Sequence, residues 1–189
     1  PDNRYVLVTN WCSYDLSIIS VADQKVVKTL SIGAYPRGIV ISSDSKYAYV
    51  AQMGGSVVYR ITLGSWERDL LRVGSNPRAL VLSPDNNFLY LTLNAAGKVV
   101  EFDLTSKRVT KSVKTGSASR SLDISRDGSA LYVVNFFSDT VSKVRVSDFK
   151  VLQSMKVCDE PIGITYEPVN NRVWVACYGG AIKIFSDRP

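Results

Sequence analysis

One pattern returns every 41 or 42 residues along the chain, and it restricts the fold more than any other feature of the sequence. Residues 74–92 carry it in full. A Gly opens a turn, Pro and Arg follow three and four places later, and an apolar run, a Ser, a turn built on Asp and an aromatic-led strand complete it. The turn marker falls at Pro1, Ser43, Pro84, Arg126 and Pro168. Its Asp recurs as Asp2, Asp44, Asp85 and Asp127, with Val169 as the departure. Six places after the marker comes the strand core: Leu7-Val8-Thr9-Asn10, Tyr49-Val50-Ala51-Gln52, Tyr90-Leu91-Thr92-Leu93, Tyr132-Val133-Val134-Asn135 and Trp174-Val175-Ala176-Cys177. The turn glycines recur at Gly33, Gly74 and Gly116, with Cys158 in the fourth place. In-phase copies at a period of this length mean a solenoid, a propeller or an array.

Within one period every signal is β. Residues 5–10, 16–21 and 26–32 are short runs of Val, Ile, Leu and Tyr between polar turns, and the next period adds a leading strand: 38–42, 47–52, 56–61 and 70–73. No stretch has a 3.6-residue amphipathic pattern of helical length, so each period is a four-stranded antiparallel meander. Runs such as residues 79–82 are apolar on both faces, and each sheet must therefore be covered twice. Packing like sheets around an axis does this, which is the propeller solution.

The string S-P-D-x-x-x-L-Y-V-x-N, present from Ser83-Pro84-Asp85 to Leu93 and from Ser125-Arg126-Asp127 to Asn135, together with G-x-x-P-R, resembles the YVTN family of β-propeller repeats. The resemblance covers essentially the whole chain and is specific for fold, poor for function. With strand A taken as the Pro-Arg-led run, the expected division is a partial blade 1–32, blades 33–73, 74–115 and 116–157, and a partial blade 158–189. Three leading strands and three trailing ones do not share one closing blade, so a partial ring is expected. Similar proteins often have seven blades, roughly 290 residues at this period.

The chain has no histidine, which removes Ser-His-Asp and Cys-His catalysis, imidazole-bound zinc or copper, and His-ligated haem. No catalytic residue, metal ligand or cofactor is expected from the sequence. Cys12, Cys158 and Cys177 are odd in number and lack C-x-x-C spacing, and they read as buried structural thiols. Nothing approaches 18 consecutive apolar residues, so no membrane-spanning segment is expected. The start at Pro1 carries neither a Met nor a leader, and the chain reads as a mature or excised piece. A formal charge of +6 fits polyanionic partners.

Alternating strand direction puts the D-to-A and B-to-C turns at one end of each meander. Arg37, Arg78 and Arg120 lead the A strands there, expected near one mouth of a central channel, where guanidinium groups attract carboxylates or phosphates. Ile162 breaks the set. Trp11, Tyr14, Tyr35, Phe136, Phe137 and Tyr178 lie in the same turns and suit stacking on sugars or bases, or capping of the blade ends. Asp44, Asp85 and Asp127 read as turn-makers, and Asp123, Glu101 and Asp103 as single carboxylates. The reading that follows is a non-catalytic scaffold binding a protein partner or a small anionic or carbohydrate ligand on that face. The alternatives are a lactonase acting on a sugar lactone, which the family resemblance implies, and binding of a polyanion or nucleic acid. Export to the periplasm or cell surface is likewise implied by the resemblance alone.

Overall fold

The computed structural model describes residues 1–187, and they build eighteen β-strands in five antiparallel sheets. The first sheet has three strands, β1 (Tyr5–Asn10), β2 (Asp15–Ser20) and β3 (Lys25–Ser31). The second has four, β4 (Pro36–Ile41), β5 (Tyr47–Gln52), β6 (Val57–Thr62) and β7 (Arg68–Arg72). The third is β8 (Pro77–Leu82), β9 (Phe88–Leu93), β10 (Lys98–Asp103) and β11 (Arg108–Lys114). The fourth is β12 (Ser119–Ile124), β13 (Ala130–Asn135), β14 (Thr140–Arg145) and β15 (Lys150–Lys156). The last has three, β16 (Pro161–Glu167), β17 (Arg172–Cys177) and β18 (Ile182–Ser186). In every sheet neighbours in sequence are neighbours in space. The molecule is an all-β propeller chain of meander blades.

The chain falls into two compact units, residues 1–78 and residues 79–189. The core of the first unit is Leu16, Ile18, Leu30, Ile32, Ala48, Val50 and Ile61, contributed by its two sheets. In the second unit one cluster gathers Leu122, Leu131, Val133 and Val144 with Tyr90, Val99 and Phe149, and another gathers Tyr132, Val134, Val173 and Val175. The second strand of a blade is the most covered: all six residues of β13 are buried, whereas outer strands such as β3 expose all but one.

The repeat's Ser and Asp explain its A-to-B turn. The Ser125 hydroxyl donates to Asp127 Oδ1 at 2.6 Å and accepts from the Ala130 N–H at 3.0 Å, while the Ser129 N–H donates to the same carboxylate at 3.1 Å. Ser42 with Asp44 and Ser83 with Asp85 repeat this arrangement. The terminal Asn of the strand core is a pin. Buried Asn135 accepts from Thr115 Oγ1 at 2.8 Å and Ser119 Oγ at 3.2 Å, and donates to Thr140 Oγ1 and Ser142 Oγ at 3.0 Å each.

The cysteine expectation is corrected. Cys158 and Cys177 form a disulfide with a Cα–Cα distance of 6.1 Å, and Cys12 is an exposed free thiol. The physical reason lies in the repeat. Cys158 occupies the turn-glycine place and Cys177 the place of the strand-core Asn or Gln. A Cβ on Gly116 would sit 2.6 Å from the Asn135 side chain, and one on Gly33 would sit 2.4 Å from Gln52 Nε2. These two positions touch in other copies, so a cysteine at each comes within bonding reach.

Candidate functional site

A β-bulge re-aims the residue that follows the leading Pro or Ser of strand A. Pairing runs Pro36↔Gln52 and then Ile39↔Val50, so one residue is extra at Arg37 and Gly38. The same shift falls between Ser119 and Leu122, beside Arg120, and between Pro161 and Gly163, beside Ile162.

In the first unit the bulge delivers Arg37 onto Trp11 of the preceding sheet's β1–β2 turn. The guanidinium carbon stands 3.8 Å from the indole ring centre. Trp11 in turn meets the Tyr35 ring at 4.5 Å, and Tyr14 meets Tyr35 edge-on at 5.2 Å. A hydrogen bond with Tyr35 raises the Tyr14 phenol above its ordinary pKa. Thr9 Oγ1 donates to the Arg37 carbonyl at 2.9 Å and ties the strand to the same turn. Four predicted residues, Trp11, Tyr14, Tyr35 and Arg37, thus form one cluster. Arg78 likewise reaches the preceding sheet's B-to-C turn, its Nη1 lying 3.3 Å from the sulfur of Met53, which holds Trp11's place in the second copy.

In the second unit the rule changes. Arg120 has Asn94 at the corresponding place of the preceding sheet, and Asn94 Nδ2 instead donates to the Ser119 carbonyl at 3.1 Å. The Arg120 guanidinium turns to Phe136 of its own sheet at 4.2 Å. Phe136 touches Phe137 at 5.1 Å and Tyr178 at 6.5 Å. Phe137 and Tyr178 are 70% and 69% exposed. Burial lowers the Arg120 pKa, and the facing charge of Glu160 opposes that shift. The disulfide lies against this second cluster, since Tyr178 follows Cys177 and donates its N–H to the Glu160 carbonyl at 3.0 Å.

Sequence reasoning missed a charge ladder. Tyr49 pairs with Arg60 and Arg60 with Asp69, Tyr90 with Glu101 and Glu101 with Lys111, and Tyr132 with Lys143. Arg60 bonds Asp69, and Lys111 Nζ donates to buried Glu101 at 3.1 Å. Lys143 faces Gln153 on its own sheet and takes Asp187 instead, at 2.5 Å, beside a cavity of about 180 Å³ lined by Tyr132, Lys143 and Asp187. The signal was a charged residue at one fixed distance after each strand-core Tyr. Glu101 is therefore the buried half of an ion pair with the half-exposed Lys111, and Asp123 is a tie, accepting from Thr165 Oγ1 at 3.1 Å and the Tyr166 N–H at 2.8 Å. Among the described residues no group of three or more His, Cys, Asp or Glu is placed to hold a metal ion. No helix among the described residues is long and apolar enough to cross a membrane.

No family model matches the chain. The chain is similar to Antigen Lp49 of Leptospira interrogans, 31% identical over 142 aligned residues, which cover 70% of this chain and 31% of that relative. It thus spans about a third of the length of the curated relative it matches. Among solved structures it superposes on a candidate 6-phosphogluconolactonase of Bacteroides uniformis with a TM-score of 0.83 at 18% identity, covering all of this chain and 65% of that one. Hydrazine synthase of Kuenenia stuttgartiensis gives a TM-score of 0.80 at 17% identity, covering 98% of this chain and 64% of that one. Virginiamycin B lyase of Staphylococcus aureus gives 0.81 at 18% identity, covering 98% and 67%. At these identities the likeness is one of fold.

Proposed function

We propose that this chain is a non-catalytic binding module of the YVTN type, whose partner or ligand engages the D-to-A and B-to-C turns. The observation that carries the reading is the stack of Arg37 on Trp11 with Tyr35 and Tyr14 beside it. Trp, Tyr and Arg are the residue types in which binding energy concentrates, and here they share one cluster on turns that the fold itself does not require to be aromatic.

The test uses titration calorimetry of the 189-residue chain with a neutral oligosaccharide, tetragalacturonate, poly-L-glutamate and a single-stranded oligonucleotide. Trp11→Ala should abolish binding of whichever probe binds, Arg37→Ala should weaken binding of an anionic one, and Lys25→Ala, at the C-to-D end of β3, should do neither. Hydrolysis of glucono-δ-lactone above the spontaneous rate would replace this reading with the lactonase one. Oligonucleotide binding whose logarithm falls linearly with log salt would replace it with nucleic-acid binding.

An oxidising compartment, periplasmic or outside the cell, belongs to the same proposal. The Cys158–Cys177 disulfide supports it, because such bonds persist where thiols are not kept reduced. A reduced pair in protein isolated under acid trapping would overturn it. Further blades also belong to it. Val6 and Val8 are 50% and 40% exposed, whereas their repeat equivalents Ala48, Val50, Leu89, Leu91, Leu131 and Val133 are fully buried. Ile182 is 64% exposed where Val58, Val99 and Val141, at the equivalent pairing position, are buried. A natural reading frame holding no further copy of the repeat would overturn this part.

A further inference from the structure

The D-to-A turn holds its residue eight places before the marker in the left-handed backbone region in four copies: Tyr35, Asn76, Ala118 and Glu160, with φ of 57°, 54°, 54° and 48°. The B-to-C turn does the same thirteen places after the marker, at Tyr14, Gly97 and Asp139, with φ of 61°, 59° and 55°. Asn, Asp and Gly reach this region at little cost, and a bulky aromatic does not. Tyrosine at both positions exists only in the Trp11 cluster. Here Tyr35 meets the Trp11 indole and Tyr14 meets Tyr35, so both strained tyrosines join one cluster.

Charge is sorted in this unit as well. The turns at residues 11–14, 33–37, 53–56 and 74–78 contain Arg37 and Arg78 and no acid. The acids Asp2, Asp23, Asp44 and Glu67 fall in the A-to-B and C-to-D turns, and Asp15, the nearest acid along the chain, is held by Asn10 Nδ2 at 2.6 Å. The cluster therefore offers aromatic surface, two phenol hydroxyls and a guanidinium, with no carboxylate among its own residues and Asp15 as the nearest acid along the chain.

Resting on the binding reading above, we propose that the Trp11–Tyr14–Tyr35–Arg37 cluster binds a carboxylated sugar, a hexuronate unit of an acidic polysaccharide. The C–H face of a pyranose packs on aromatic carbon. The phenol hydroxyls pair with sugar hydroxyls, and the planar guanidinium donates two parallel hydrogen bonds to a carboxylate. A neutral sugar leaves the guanidinium without that pair, and an acidic peptide leaves the aromatic surface largely unused.

The experiment is titration of the 189-residue chain with tetragalacturonate and with its methyl ester. The ester is expected to bind at least about tenfold more weakly, having lost the charge-assisted pair. Tyr35→Asn installs the residue that the next copy carries at this turn, so the fold is kept, with an unfolding midpoint equal or higher, while tetragalacturonate affinity falls by about tenfold or more. Arg37→Gln should weaken the acid about tenfold and leave the ester unchanged. Equal binding of acid and ester, or full affinity in Tyr35→Asn, overturns the proposal. Cluster-dependent binding of poly-L-glutamate with none of tetragalacturonate overturns it too and leaves the binding reading standing. Indifference of every probe to Trp11→Ala overturns both.

Discussion

The Trp11 and Phe136 clusters begin from the same two repeat positions and reach different ends. In the first, Arg37 crosses to the preceding sheet because Trp11 waits there. In the second, the preceding sheet offers Asn94, and Ile162 leaves Phe136 without the arginine that the next copy would send. Arg120 consequently stacks within its own sheet, in a more buried place than Arg37. The bracing differs in parallel: Gly33 packs on Gln52 in one, and Cys158 bonds Cys177 in the other. The surroundings differ in charge, with no acid in the first unit's D-to-A and B-to-C turns and Asp139, Asp159 and Glu160 in the second's. A repeat thus sets where a side chain starts, and the neighbouring copy decides what it touches.

The largest expected effect tests the bracing. Replacing Cys158 and Cys177 together by Ser should lower stability by about 3 kcal/mol, the chain-entropy value for a loop near the observed separation of 19 residues. Cys12→Ser, exposed and unbonded, should stay within about 0.5 kcal/mol. Urea unfolding measures both, and equal effects would erase the distinction between a bonded and a packed turn.

Next comes the stack itself. A double-mutant cycle should find a coupling of about 1–2 kcal/mol between Arg120 and Phe136, where the cation is partly desolvated. Arg37 and Trp11, more exposed, should couple by about 0.5–1 kcal/mol. Ile162→Arg supplies the missing partner to Phe136 and should reduce the Arg120 coupling; an unchanged coupling would show that Arg120 is held by its own bulge alone.

Smaller still is the backbone effect. Tyr35→Asn should raise stability by about 0.5–1 kcal/mol by relieving the left-handed tyrosine, whereas Asn76→Tyr should cost a similar amount. A loss on Tyr35→Asn would mean that the Trp11–Tyr35 contact outweighs the backbone preference.

The last prediction should show no difference between the units. The Ser125 hydroxyl and the Ser129 N–H hold the Asp127 carboxyl down to about 2, and the equivalent hydroxyls lower Asp44 and Asp85. These folded-state values lie below the unfolded carboxylate's, about 3.9. Their stabilisation is therefore complete above pH about 4 and fades as pH falls toward 2. Asp→Asn at any of the three turns should flatten that acid limb, and a flattening confined to one unit would mean that the turns are not equivalent.

The fold was legible because it depends on local and periodic signals: the Ser–Asp turn, the alternating runs and the apolar strand core each act within a few residues. The same register put Trp11, Tyr14 and Tyr35 on turns next to Arg37, and the structure joins them. The charge ladder was not read, since a lone Glu101 resembles any other acid until pairing sets Lys111 beside it. The cysteines failed for a related reason. Their places in the repeat were visible, but not that those places touch.

The sequence by itself determined the number of sheets, their order and the turn ends at which arginines and aromatics emerge, because backbone hydrogen bonding obliges each short apolar run to pair with the next. Only the tertiary structure decided that Arg37 meets Trp11 while Arg120 meets Phe136, and that Cys158 meets Cys177. Those choices rest on distances between copies, where a bulge of one residue or an Asn in place of a Trp redirects a side chain, and no pattern within a single copy contains them.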